Sequence, residues 1–202
     1  MAPKKIGLMC GTFNPPHIGH LILAQTALQE LALDKVLFLP VGDPTHKTTT
    51  TAAHHRVEMT RLAIAGNQDF ELDTTDAVRP PPHYTASLLP LIQTDFPSAD
   101  LWLLIGGDSL STFPSWHQPD QLLEHCRLAV LNRPGYDPDL PHLSRSVPAL
   151  ATKVDWLTGP FIHLSSSWLR SQLADGIDKG TTYLLPGAVK QYAMRHQLYT
   201  HN

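Results

Sequence analysis

Two histidines three residues apart, His17 and His20, stand where a short apolar run gives way to a helical pattern. At that spacing both rings face one side of a first helical turn. A helix N-terminus presents unpaired N–H groups and a partial positive charge, so it favours neutral imidazole and receives anions. The pair and the helix end together read as a phosphate site. A second stretch points the same way: Ser165-Ser166-Ser167 opens a helix that carries Arg170 in its first turns. A cation there opposes the helix dipole, unless it holds an anion jointly with the serine hydroxyls. Taken alone, this stretch is explained equally well by a capped helix with an exposed arginine. Between the two lies Gly106-Gly107-Asp108. Glycines after a parallel strand sit where open α/β sheets bind ligands, and Asp108 suits ribose hydroxyls, a hydrated metal or a plain helix cap. Lys47 stands either against an anionic substrate or in solvent. Trp116 either stacks on an aromatic ligand or packs. The chain shows no nucleophile beside an evident general base.

These residues need elements to position them. Lys5 to Cys10 is a short apolar strand of the kind covered on both faces. Gly11 ends it where the backbone turns or a ligand comes close, and Pro15-Pro16 stiffens the loop. From Gly19 a helix follows, with Leu21, Ala24, Leu28 and Leu31 on one face. Further strands are expected at 36–41, 70–74, 101–105, 127–131 and 161–164, the last being Phe161 to Leu164. Helices are expected over Ala53 to Ala65, from Thr85 as N-cap, from Pro119, from the Ser165 motif, and near Pro186. Pro90 should kink or shorten the helix that Thr85 opens. Residues 136–153 are Pro- and Ser-rich, with room for one short helix. The alternation predicts an α/β fold: a Rossmann-like, doubly wound parallel sheet with helices on both faces. The first and last motifs would then meet across one cleft at its carboxyl edge.

Composition narrows the field. At 202 residues the chain suits a single domain, 1–202, with a real core. An apolar fraction of 42% against 16% charged makes it globular. A formal charge of −3 argues against a nucleic-acid binder. No run is long and apolar enough for a membrane helix, and Met-Ala-Pro-Lys-Lys leaves no room for a signal peptide. Two cysteines, Cys10 and Cys126, suit a reducing cytoplasm. Cys10 reads as a buried strand-end thiol rather than a reactive one. None of the twelve histidines falls in a zinc-binding spacing. Oligomeric state is left open, a homo-oligomer included.

The stretch Gly11-Thr12-Phe13-Asn14-Pro15-Pro16-His17-Ile18-Gly19-His20 resembles the signature of the nucleotidyltransferase superfamily, with its His-x-Gly-His core. Over nearly the whole chain the motifs are similar to those of the bacterial nicotinate mononucleotide adenylyltransferases. They include Lys47 after a Pro-containing loop, Tyr84-Thr85, Gly107 with Phe113 and Trp116, Asn132-Arg133-Pro134-Gly135, the Ser165–Arg170 motif and Leu185-Pro186. The departures are Cys10 where the family often has Gly, Asn14 for Asp, Ser167 for Thr, and Asp43-Pro44-Thr45-His46, where two prolines before His46 are more usual.

The resemblance implies transfer of AMP from ATP, with Mg²⁺, to nicotinate mononucleotide, releasing pyrophosphate. It implies that His17, His20 and Arg170 are catalytic. Gly11, Thr12, Phe13, Gly106, Asp108, Ser166 and Ser167 would bind ATP. Lys47, Arg56, Thr85, Trp116, His117 and Arg133 would bind the mononucleotide. A phosphopantetheine adenylyltransferase and a non-catalytic nucleotide-binding module remain the rival readings.

Overall fold

The computed structural model describes residues 3–42, 51–132, 138–160, 162–175 and 179–200. Its first strand, β1 (Lys5–Gly11), is apolar on both sides because helices cover both faces of the sheet it centres. In chain order there follow α1 (Ile18–Glu30), β2 (Lys35–Pro40), α2 (Ala53–Ile64), β3 (Phe70–Leu72), α3 (Thr75–Val78) and α4 (Thr85–Asp95). Next come β4 (Asp100–Gly106), α5 (Gly107–Thr112), a single 3₁₀ turn at Phe113–Ser115, α6 (Pro119–His125) and β5 (Arg127–Leu131). The chain continues through α7 (Leu140–Ser146), α8 (Leu150–Lys153), β6 (Val154–Leu157), α9 (Ser166–Ala174), a second 3₁₀ turn at Lys179–Thr181 and α10 (Gly187–Arg195).

The six strands are ordered β3-β2-β1-β4-β5-β6, and all pairings are parallel. This is the doubly wound order, and it reverses between β1 and β4. The two neighbours therefore send their chains to opposite faces, which opens a crevice at their carboxyl ends. Strand β4 illustrates the period-two burial behind the layers. Leu101, Leu103 and Ile105 pack with Leu88, Leu89 and Ile92 of α4 on one face. Trp102 and Leu104 pack with Ala24, Ala27 and Leu28 of α1 on the other. A third, smaller cluster joins Met59 of α2, Leu169 of α9 and Val189 and Ala193 of α10. It packs α9 and α10 against α2.

Several local expectations change. The last strand is β6 at Val154–Leu157, and Ile162 to Leu164 form no strand. Strand β6 is a sheet edge, paired with β5 and bolted to it by Asp155. That carboxylate accepts from Arg127 at 2.6 and 2.8 Å and from the Trp102 indole at 2.8 Å. Ile162 and Leu164 are apolar where this segment lines the crevice, together with His163, and it does not join the sheet. Tyr84, not Thr85, is the N-cap of α4, and Thr85 is its first helical residue. Helix α4 runs through Pro90 to Asp95, with that proline on the exposed side. The Pro- and Ser-rich stretch holds two short helices, α7 and α8, and Pro186 caps α10 from just outside it.

Candidate active site

The crevice encloses about 480 Å³ between the ends of β1 and β4 and the start of α9. Cys10 to Asn14, His17, Gly19 and His20 line it from the first motif, and Gly106, Asp108, Ser109 and Trp116 from the middle of the chain. Ile162 to Ser167 and Arg170 complete it. A second recess, beside α1 and lined by Ile18, Leu21, Ile64 and Phe70 among others, has no charged group in its lining.

Helix α1 begins at the crevice because the loop before it is held open. Phe13 adopts a left-handed φ of 49° and buries its ring against Phe38 and edge-on to His20. What Phe13 offers the crevice is therefore mainly backbone. A Cβ on Gly11 would come within 3.1 Å of that ring, so glycine lets it fold back. His17 is the N-cap of α1 and His20 its third residue. His20 Nδ1 accepts the His17 backbone N–H at 3.1 Å, which puts the proton of a neutral His20 ring on Nε2. The rings stack at 3.8 Å and 25°. The His20 N–H goes to the His17 carbonyl at 3.0 Å, and the buried Nδ1 of His17 has no hydrogen-bond partner among the described residues. A buried ring nitrogen in that condition, at the rim of a cavity, suits a polar ligand.

Gly19 is what allows the stack. A Cβ there would lie 3.1 Å from both Cε1 and Nδ1 of His17. Gly19→Ala is expected to displace the ring and lower turnover by about tenfold or more, while thermal unfolding stays within a few degrees of the parent. Unchanged turnover in steady-state assays would show that the ring tolerates the displacement.

Burial pushes the His17 imidazole down from 6.5 to about 4. The unfolded chain takes up this proton at a higher pH than the folded one. The neutral ring's contribution is complete above about pH 6.5 and lost as pH falls through about 4. It amounts to about 3 kcal/mol across that window. Urea unfolding at about pH 7 and about pH 4.5 measures it, with His17→Gln expected to lose less stability between the two than the parent. Equal losses would assign the pH dependence to other groups.

Helix α9 locks onto the same loop. Ser165 caps it, accepting the Trp168 N–H at 3.2 Å. Ser166 donates to the Pro15 carbonyl at 2.9 Å. Arg170 donates to the Asn14 carbonyl at 2.8 Å and to the Ser167 hydroxyl at 3.1 Å. The first and last motifs thus meet, as their chemistry implied, and Ser166 and Arg170 also fasten one to the other. Across the crevice a Cβ on Gly106 would fall 2.6 Å from Asp108 Oδ1, so the carboxylate lies back over that glycine.

On the remaining side Tyr84 stacks on His117 at 4.0 Å. Trp116 packs on buried Phe113 at 5.3 Å and lines the crevice. The start of α4 is held by buried Asp76, which accepts from Arg79 at 2.6 Å and lies 3.2 Å from His83 Nδ1. Arg79 in turn donates to the Tyr84 carbonyl at 3.1 Å. Thr85, Trp116 and His117 therefore belong to one neighbourhood. Lys47 and Arg133 lie outside the described residues.

Arg56 stands apart from the expectation. It is fully buried, and its guanidinium donates to the carbonyls of Thr12, Val41, Gly42 and Thr51. Its place is beneath the first loop, where those bonds hold the backbone. Among cavity-lining residues, the site reading overlooked Cys10, Asn14, Ser109 and His163. Cys10 ends an apolar strand, and burial raises its thiol well above the usual range. Of the four, the apolar run before Gly11 points to Cys10 and the motif after it to Asn14.

Residues 8–172 match the model of the family described as cytidylyltransferase-like. A Thermomicrobium roseum protein named "Probable nicotinate-nucleotide adenylyltransferase" is 39% identical over 97% of this chain and 92% of its own length. An Oceanobacillus iheyensis protein of the same name is 38% identical over 97% of each. Among solved structures, the Plasmodium falciparum nicotinic acid mononucleotide adenylyltransferase complexed with NaAD superposes with a TM-score of 0.76, covering 97% of each chain. At 18% identity that likeness speaks for the fold. With its helix-capping histidine pair at the switch point of a 3-2-1-4-5-6 sheet, the chain belongs to the cytidylyltransferase-like family of nucleotidyltransferases, among the nicotinate-nucleotide adenylyltransferases.

Proposed function

We propose that this chain transfers the adenylyl group of ATP to nicotinate mononucleotide, giving deamido-NAD and pyrophosphate. The observation that carries the reading is the convergence of His17, His20 and Arg170 on one crevice, in a chain 39% identical to its relative over almost its full length. The mononucleotide's phosphate is the nucleophile. Its second pKa is about 6, so it is anionic at neutral pH and needs no general base. An oxygen of that phosphate bonds to the α-phosphorus of ATP. The bond from that phosphorus to the bridging oxygen breaks, and pyrophosphate leaves with its electron pair. Catalysis is then alignment and charge stabilisation.

His17 and His20 hold the triphosphate and face the charge that builds on it. Arg170 and Ser167 hold the β- and γ-phosphates, with Ser166 fixing their helix against the loop. Gly106 and Asp108 take the ribose, and Thr12 with the backbone of Gly11 and Phe13 borders the nucleotide. Magnesium enters as part of the nucleotide substrate. Among the described residues no group of three His, Cys, Asp or Glu side chains is gathered at one place. The acceptor lies beside Trp116, its carboxylate on backbone N–H groups around Thr85 and His117, and the family resemblance adds Lys47 and Arg133 to its binding. A cytoplasmic setting suits substrates of this kind. No described helix is long and apolar enough to cross a membrane.

Pyrophosphate release with MgATP tests the acceptor. Nicotinate mononucleotide is expected to be used far better than nicotinamide mononucleotide. Equal use would overturn the carboxylate-reading pocket, and release with phosphopantetheine alone would replace the acceptor altogether.

A further inference from the structure

The C-terminal turn reaches back under the site. Helix α10 ends in a Schellman motif: the Leu198 N–H bonds to the Ala193 carbonyl at 2.9 Å and the Gln197 N–H to that of Met194 at 3.1 Å. Gln197 takes the left-handed φ of 50° that this motif needs, and Leu198 packs into the cluster of Met59, Leu169 and Val189. Tyr199 follows with a second left-handed φ, 69°. Such a backbone is uncommon for a bulky side chain and persists only where contacts over-determine it.

The contacts are at the ring's end. The Tyr199 hydroxyl donates to Asn14 Oδ1 at 2.6 Å and lies 3.7 Å from Met59 Sδ. Asn14 is itself buried, and its carbonyl takes the Arg170 guanidinium, while that of Pro15 takes the Ser166 hydroxyl. Two segments far from this loop in sequence, α9 and the C-terminal turn, therefore close on residues 14 and 15, just before His17. Burial raises the Tyr199 phenol, so the hydroxyl keeps its proton and remains a donor.

We infer that Tyr199 is a positioning residue for the nucleotide site: by holding the Asn14 side chain it fixes the loop that aims both His17 and Arg170 at the triphosphate. It touches no substrate and acts through Asn14. The inference rests on the crevice being the ATP site, and its test is therefore binding of MgATP, which needs no acceptor.

Calorimetric titration with MgATP compares the parent chain, Tyr199→Phe, Asn14→Ala and the double variant. Tyr199→Phe removes one hydroxyl from a ring that otherwise packs as before. Its Kd is expected to rise roughly fivefold to tenfold, calculated per folded molecule, while the KM for the mononucleotide is unchanged. The double variant is expected to bind no more weakly than Asn14→Ala alone. An unaltered Kd with a lowered melting temperature would overturn the inference, leaving Tyr199 as packing only. So would the same factor lost in the Asn14→Ala background. A parent chain that binds MgATP but adenylates no mononucleotide would strike the acceptor reading and leave this result standing.

Discussion

His20→Ala is expected to fold and to turn over about 10²- to 10³-fold more slowly than the parent. The structure gives this residue two jobs that the substitution removes together. It accepts the His17 N–H and stacks on the His17 ring, and it lines the crevice where the triphosphate is proposed to lie. Loss of the capping contact costs about 1 kcal/mol, small against a typical domain stability of roughly 5–15 kcal/mol. The kinetic effect should therefore far exceed the effect on folding. His20→Gln separates the two jobs. Glutamine at the third helical position can reach back to the N-cap N–H, so it should restore stability without restoring turnover. A His20→Ala enzyme with near-normal kcat would remove His20 from the chemistry. Recovery of turnover in His20→Gln would make the residue a cap alone.

Arg56→Ala is expected to destabilise the chain by about 3–5 kcal/mol. The guanidinium collects carbonyls from the β1–α1 loop at Thr12, from the exit of β2 at Val41 and Gly42, and from Thr51. Truncation leaves those buried and partly buried oxygens without their donor, and each such loss costs up to about 1–3 kcal/mol before relaxation. Arg56→Lys should recover little, because one ammonium cannot span what a planar fork of five donors spans. Urea unfolding measures both. The sequence-based expectation that Arg56 binds the mononucleotide predicts a different outcome. A raised KM for that substrate at unchanged stability would support direct contact and contradict the buried cross-link.

Arg56 also illustrates where reading from sequence stops. Helical periodicity assigns a charged residue to the polar face of α2, and it has no means of seeing carbonyls 5 to 44 residues away. Local signals fared better. The apolar run Arg127–Leu131 became a strand with those same ends, and the spacing of His17 and His20 became a ring stack. The alternation of elements yielded the parallel sheet, because strand, crossover helix and strand have few other ways to pack. Strand β6 escaped notice because an edge strand with Asp155 inside it and Trp156 exposed does not look apolar. Ile162 and Leu164 misled for the converse reason, being apolar residues that line the cavity. Ser166, read as a phosphate ligand, also donates to Pro15, 151 residues earlier. Contacts of that separation are set by the assembled sheet and leave no periodic trace.

The account stands or falls on where the α-phosphorus of ATP goes. The direct measurement incubates the purified chain with nicotinate mononucleotide and MgATP labelled at the α-phosphorus, then follows the label and pyrophosphate together. The expected result is label appearing in deamido-NAD in step with pyrophosphate, one for one, with none appearing when the acceptor is omitted. Label recovered only in AMP or ADP, or left in ATP, would contradict adenylyl transfer to this acceptor.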